Sequence, residues 1–211
     1  MINKILFLSI IFLFSSINTL AQDSTSKIHN TGIDILISDN GMGLGIYYRY
    51  EFDELSGYAS FSVSSYNKEN NSYEYLQYSR IFLIPLSFGI QYRLFSEYIE
   101  DNVRPYFYTA FGPSIIYSAP ALEFDNSPYS LPKEKEFFSS VFNGKSYYGY
   151  NLFFGLGSFI KYDKNKFFSI SFRYCFLHSY RNIVMFYNFM NSNYIVNSNF
   201  NNFSIIISLP L

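Results

Sequence analysis

One cysteine and two histidines are all that 211 residues offer to a disulfide or a soft metal. Cys175 has no partner in the chain, so no internal disulfide can form. His29 and His178 lie far apart, no His/Cys cluster has metal-ligand spacing, and neither a metal nor a cofactor is expected. Charge is scarce as well, at 15% of residues against roughly 25% in ordinary soluble domains. A formal net charge of −1 leaves no basic field for nucleic acid. Beyond the first 21 residues no apolar run reaches the length of about 20 that a spanning helix needs. Nor does any stretch keep a 3.6-residue period for long.

What is abundant is aromatic: 22 Tyr and 25 Phe, with no Trp, make up 22% of the chain. A soluble domain would need an unusually large core to hide so many rings. The N-terminus, "MINKILFLSIIFLFSSINTLAQDS", has the layout of a secretory signal peptide. Lys4 supplies the positive region, Ile5 to Phe14 the apolar region, and Thr19-Leu20-Ala21 the small-residue cleavage site before Gln22. Residues 1–21 are therefore expected to be removed on export, leaving a short segment, 22–30, ahead of the folded part.

Within 31–211 the recurring period is two. Eight strands are expected at roughly 31–38, 42–52, 57–66, 80–95, 103–118, 147–162, 167–178 and 200–209. Ile33, Ile35 and Ile37 alternate with Asp34, Leu36 and Ser38; Phe168, Ile170, Phe172, Tyr174 and Phe176 alternate with Ser169, Ser171, Arg173 and Cys175. A water-facing side would carry Lys, Glu, Thr and Gln. Here it is mostly Gly, Ser, Ala and Asn with a few charges. Small residues suit the narrow inside of an eight-stranded barrel, and the bulky rows are then left to face lipid. Loop lengths agree. On one end the connections are 53–56, 96–102 and 163–166; on the other they are 39–41, 67–79, 119–146 and 179–199, three of them long. Short inner turns and long outer loops are the membrane-barrel arrangement.

The segment "RIFLIPLSFGIQYRLFSEYIEDNVRPYFYTAFGPSIIYS", residues 80–118, resembles the small eight-stranded outer membrane β-barrel proteins of Bacteroidota and related phyla. The matching residues are Ile84, Pro85, Leu86, Tyr92, Arg93, Arg104, Pro105, Tyr106, Gly112 and Pro113. Residues 136–160 resemble uncharacterised members of the same group. The resemblance implies an outer-membrane barrel and no particular activity.

Nine polar residues are expected to face the lumen: Asp34, Arg49, Glu51, Gln91, Arg93, Arg104, Asn151, Lys161 and Arg173. Arg–carboxylate pairing among them would limit the cost of burying charge. They form either a structural plug or the lining of a gated, weakly anion-preferring pore. Tyr48, Tyr50, Tyr92 and Tyr162 fall near the inner ends of their strands, where amphipathic rings would form an interface girdle. His178 and Ser179 invite comparison with Ser/His lipid hydrolases, with Glu123 or Asp125 as orienting carboxylates; adjacent strand residues, however, point to opposite faces. "GMGLG" at 41–45 has no helix after it and reads as small inward residues rather than a phosphate loop. "VMFYNFM", 184–190, is apolar for a loop and either folds back over the lumen, the favoured arrangement, or extends a strand pair above the membrane.

The expectation is thus an all-β, eight-stranded antiparallel up-and-down transmembrane β-barrel in the cell outer membrane, surrounded by lipid. Its expected role is structural or surface-interacting, not enzymatic, with a protein or surface-glycan partner met through loops 119–146 and 179–199. Alternatives are a lipid-modifying hydrolase working through His178 and Ser179, a narrow channel, or a component of a secretion assembly.

Overall fold

A computed structural model describes residues 29–52, 54–68, 74–95, 102–123, 132–163 and 166–211; the expected signal peptide, residues 22–28 and Asp125 lie outside these. Eight long strands form a closed antiparallel ring: β1 (His29–Ser38), β2 (Gly41–Phe52), β3 (Leu55–Tyr66), β5 (Ser79–Arg93), β6 (Val103–Pro120), β9 (Lys145–Asp163), β10 (Lys166–Asn188) and β12 (Asn202–Pro210). Each pairs with the next, and β12 pairs with β1 to close it. Four short strands lie between them on the long-loop end: β4 (Tyr75–Gln77), β7 (Leu122–Glu123), β8 (Lys133–Glu134) and β11 (Asn193–Asn199). One short helix, α1 (Phe137–Phe142), lies between β8 and β9.

Register fixes the size of the barrel. From Asn30 the paired residues run Arg49, Tyr58, Gly89, Ala110, Phe153, Cys175 and Asn202. Asn202 lies two residues before Ser204, the partner of Ser38, and so comes level with Asn40. One circuit therefore climbs ten residues (40 − 30) along β1. With about 4.8 Å between strands and about 3.3 Å per residue, that stagger over eight strands sets a tilt of about 40°. Each residue then climbs about 2.5 Å along the barrel axis.

The outward rows are apolar and exposed, including Leu44 (63%), Phe88 (55%), Phe111 (60%), Leu156 (57%) and Phe172 (52%). The inward rows carry buried Ser60, Ser62, Ser87, Ser169, Ser171 and Ser204. A soluble barrel has the opposite arrangement, so the lipid-facing assignment of the bulky rows stands.

Two features differ from expectation. β10 does not end near residue 178 but runs to Asn188, pairing with β11 on one edge and β4 on the other. The 184–190 stretch thus continues a strand pair and also lies over the lumen, reaching β4 on the opposite wall with Met185 and Phe186 buried; β-bulges at Met185 and between His178 and Ile183 broke its period in the sequence. Loop 119–146 likewise contains the β7–β8 ladder and α1. The β1–β2 turn is as short as expected. Gly41 there has φ +150, and a Cβ on it would come 2.4 Å from the Ser65 carbonyl oxygen.

Candidate functional site: a filled lumen and a built outer mouth

From the short-turn end upward, the lumen is packed in layers. Lowest is a charged layer in which the Glu51 carboxylate bridges Arg93 at 3.3 Å and Arg49 at 3.9 Å. Arg49 also lies over the rings of Phe159 (4.2 Å) and Tyr47 (5.3 Å), and Arg104 over Phe167 (4.9 Å). Lys161 stands on the same inward row as Phe159, its backbone N–H donating to the Asn102 carbonyl at 2.8 Å.

Above this, charge is held mostly by neutral partners. Ser208 donates to Asp34 at 2.6 Å and Tyr58 to its other oxygen at 3.4 Å. Arg173 donates to Ser204 at 3.3 Å and faces the ring of Phe153 at 5.0 Å. Expected Arg–carboxylate pairing is therefore found at Glu51, whereas Asp34 and Arg173 are held by hydroxyls and a ring. Buried Gln91 lines a small cavity with Arg49, Tyr58, Tyr106 and Tyr108, with room for about one water molecule.

Large residues enter this lumen because glycines stand opposite them. Tyr106 pairs with Gly157 and Tyr108 with Gly155. A Cβ on either glycine would come 2.6 Å from the facing ring. Each tyrosine therefore reaches across β9 to a serine of β10, Tyr106 to Ser169 and Tyr108 to Ser171, both at 3.2 Å.

Asn151, fully buried, repairs a break in the wall. Pro113 has no N–H, and the β5–β6 pairing lapses at Leu86 and Ser87 opposite Gly112 and Pro113. The Asn151 amide nitrogen donates to the carbonyls of Gly112 (3.0 Å), Pro113 (3.0 Å) and Leu86 (3.5 Å), and its oxygen accepts from Ser87 at 2.7 Å.

The top of the lumen is apolar. Tyr66, Ile81, Leu83, Ile116, Leu177, Ile183, Met185 and Phe200 are all buried in one cluster. Ile183 and Met185 come from the continuation of β10, so the extended strand itself closes the mouth.

On the outside, Tyr48, Tyr50, Tyr92 and Tyr162 stand on outward rows near the short-turn end, with Tyr92 donating to Glu54 at 3.0 Å. Tyr117, Tyr148, Tyr150 and Tyr180 stand on outward rows roughly 20–30 Å higher. That upper group was not singled out from the sequence, although its alternation on β9 is regular. Inward Tyr58, Tyr108, Phe153 and Phe159 were missed as well.

The structure does not bring His178 and Ser179 together. His178 faces outward, its Nδ1 in a 2.7 Å hydrogen bond with Asn199 and its ring against Tyr150. Ser179 is buried inward and accepts from the Arg181 backbone N–H at 3.3 Å. Glu123 is paired in the β7–β8 ladder, opposite Lys133. Among the described residues no three His, Cys, Asp or Glu side chains are grouped to hold a metal ion.

Above the barrel, β4, β10 and β11 make a small sheet carrying aromatic side chains. Tyr194 packs its ring 5.2 Å from those of both Tyr78 and Tyr187. Val196 is 47% exposed and Ile195 37%. At the hairpin tip the Asn188 side-chain oxygen accepts from the backbone N–H groups of Met190 (2.9 Å) and Asn191 (3.1 Å).

No protein-family model matches this chain, and no curated protein does. Among solved structures, Neisserial surface protein A (NspA) superposes with a TM-score of 0.51 at 10% identity, covering 90% of this chain and 100% of that one. Ail, the attachment invasion locus protein of Yersinia pestis, superposes with a TM-score of 0.42 at 14% identity, covering 86% of this chain and 93% of that one. The likeness to NspA is one of fold: a small membrane β-barrel.

Proposed function

We propose that this chain is a small, non-enzymatic barrel of the outer membrane that works at the cell surface. The observation that carries the reading is how the chain divides its residues. The lumen is filled by charged, aromatic and apolar layers in turn, while β10 and β11 rise past the barrel rim and present Tyr194, Ile195 and Val196. A barrel filled in this way offers no path for solute, and an ordered sheet above it offers a surface to a partner. Residues 1–21 act as the export signal in this reading, and a protein or surface glycan is met through 119–146 and 179–199. The separated environments of His178 and Ser179 weigh against the hydrolase alternative, and the apolar upper layer weighs against the channel.

The test is a display experiment. Wild type, a variant with 181–198 replaced by a two-residue turn, and an empty vector are expressed in one Gram-negative host. Adhesion to immobilised matrix proteins and glycans is measured, and folding is checked by heat-dependent gel mobility. Wild-type cells are expected to bind at least one class, and the shortened variant to fold but lose that binding. Identical adhesion by all three strains across the panel would overturn the surface-interaction reading.

A further inference from the structure

Helix α1 is amphipathic, but it is mounted the wrong way round for water. At about 100° per residue, Phe137, Val141, Phe138 and Phe142 share an arc of about 140°, leaving Ser139, Ser140 and Asn143 opposite. The residue turned into the protein is Ser140, fully buried, whose hydroxyl donates to the Pro120 carbonyl at 2.6 Å. The residues turned away are Phe137, Phe138 and Phe142, exposed by 50%, 75% and 84%. A six-residue helix has little stability of its own in water. This one is held by the wall of the barrel: the Tyr117 hydroxyl donates to the Val141 carbonyl, and Gly144 lies against the Tyr117 ring.

The position of that attachment says what the phenylalanines face. Tyr117 pairs with Phe82, and Ala119 with Arg80, so all four belong to outward rows. Ala119 is nonetheless fully buried, as expected for a residue beneath α1. The helix thus lies against the outside of β5 and β6, not over the lumen. Tyr117 is two positions above Ile115 on the lipid-facing row, at the height of exposed Tyr148 and Tyr180. That height is roughly 25–30 Å above Tyr92, near the upper edge of the hydrocarbon layer. Charged residues bracket the helix, with Lys135 and Glu136 before it and Lys145 after it. Arg80 lies 5.7 Å from the Phe137 ring while donating to the Lys135 carbonyl at 3.1 Å.

We infer that α1 is an interfacial anchor that lays Phe137, Phe138 and Phe142 into the outer leaflet at the boundary of headgroups and acyl chains. Its partner is lipid, because its apolar face continues the lipid-facing surface of the barrel at the level where that surface ends. The inverted barrel and the inverted helix have one cause, which is that the medium outside is apolar.

The natural absence of Trp makes this testable with single-tryptophan proteins. Phe138→Trp, Phe142→Trp and Ser139→Trp are prepared in phosphatidylcholine vesicles, with Phe154→Trp, outward at mid-barrel, as a reference. Lipids brominated high or low on the acyl chain and aqueous iodide serve as quenchers. Trp at 138 and 142 is expected to be quenched at least twofold more by the shallow bromines than by the deep ones. Trp at 139 is expected to respond to iodide instead. If Trp at 154 is lipid-quenched while 138 and 142 respond only to iodide, the anchor is wrong and the barrel assignment survives. If 154 also escapes lipid, the membrane-spanning assignment itself fails. Protection at 138 and 142 that disappears on diluting protein into lipid would mean contact between copies, and would equally overturn the lipid anchor. Folding of each variant is read from heat-dependent gel mobility; should one aromatic variant misfold, the other carries the test.

Discussion

Replacing Asn151 by Leu removes a side chain that accepts from one hydroxyl and donates to three backbone carbonyls inside the wall of the barrel. Successive carbonyls of a strand point to opposite neighbours, so only one of the two 3.0 Å bonds, to Gly112 and Pro113, reaches a carbonyl on the side where the β5–β6 pairing lapses; the other lies towards the continuous β6–β9 ladder. Each buried polar group left without a partner costs about 1–3 kcal/mol. The 3.5 Å bond to Leu86 counts for little, and the Ser87 hydroxyl can rotate towards another acceptor. One carbonyl left short of a donor, partly offset by the apolar gain of Leu, puts the loss at about 1–3 kcal/mol. Ser87→Ala alone should cost about 1 kcal/mol, and much less once Asn151 is Leu, since its partner is then gone. Asn151→Asp is the sharper probe. It keeps the shape but sets oxygen against the carbonyls of Gly112 and Pro113, so it should destabilise at least as much as Leu. The assay is urea unfolding in vesicles followed by the mobility of folded and unfolded bands. A midpoint unchanged by Asn151→Leu, or effects of Ser87→Ala and Asn151→Leu that simply add, would refute the hub.

Three further outcomes are expected. Phe172→Arg, on the outward row at mid-barrel, should cost on the order of 2–4 kcal/mol, whereas Ser171→Arg should fail by crowding Tyr108; unchanged stability with Arg at 170, 172 and 174 would mean the faces are reversed. Gly157→Val should displace the Tyr106 ring and crowd the Ser171 Cβ, each 2.6 Å from a Cβ there, with a loss of about 1–3 kcal/mol that Tyr106→Ala in the same chain relieves in part, and no relief at all in the unfolding midpoint would remove the Gly–Tyr explanation. Changing His178 and Ser179 together to Ala should leave lipid A masses of an expressing strain as they are with wild type and with empty vector; acyl loss seen only with wild type would restore the hydrolase.

The outward surface was legible because one row of each strand is too apolar for water and the other too small for it. Ile33, Ile35 and Ile37 against Asp34 and Ser38 need no register to interpret. The interior was less legible because its fit depends on neighbours far away in sequence. The alternation of β9 sets Phe154 with Tyr148, Tyr150, Leu152 and Leu156 on the outward row, but nothing local announces so large a ring as Phe153 among the small inward residues; its pairing with Ala110 and Cys175 shows where it fits. Tyr108 enters the lumen because Gly155, on another strand, leaves room, and no local pattern contains that. The β10 continuation was hidden by its bulges, which slip the period, and by being apolar on both sides. The Gly112–Pro113 step gains a physical meaning once the ladder is known. Pro113 breaks a pairing beside which Asn151, on the next strand, supplies side-chain hydrogen bonds.

The claim on which everything rests is that adjacent residues of one strand see two different media, a packed lumen and lipid. Phe153 is 1% exposed and Phe154 44%, on opposite faces of β9. Single tryptophans at these two positions, in vesicles, test it directly. Trp at 154 should be quenched by lipids brominated near the bilayer centre and be untouched by aqueous iodide, while Trp at 153 should be reached by neither. Quenching of 153 by lipid, or of 154 by iodide with no response to brominated lipid, would contradict the account.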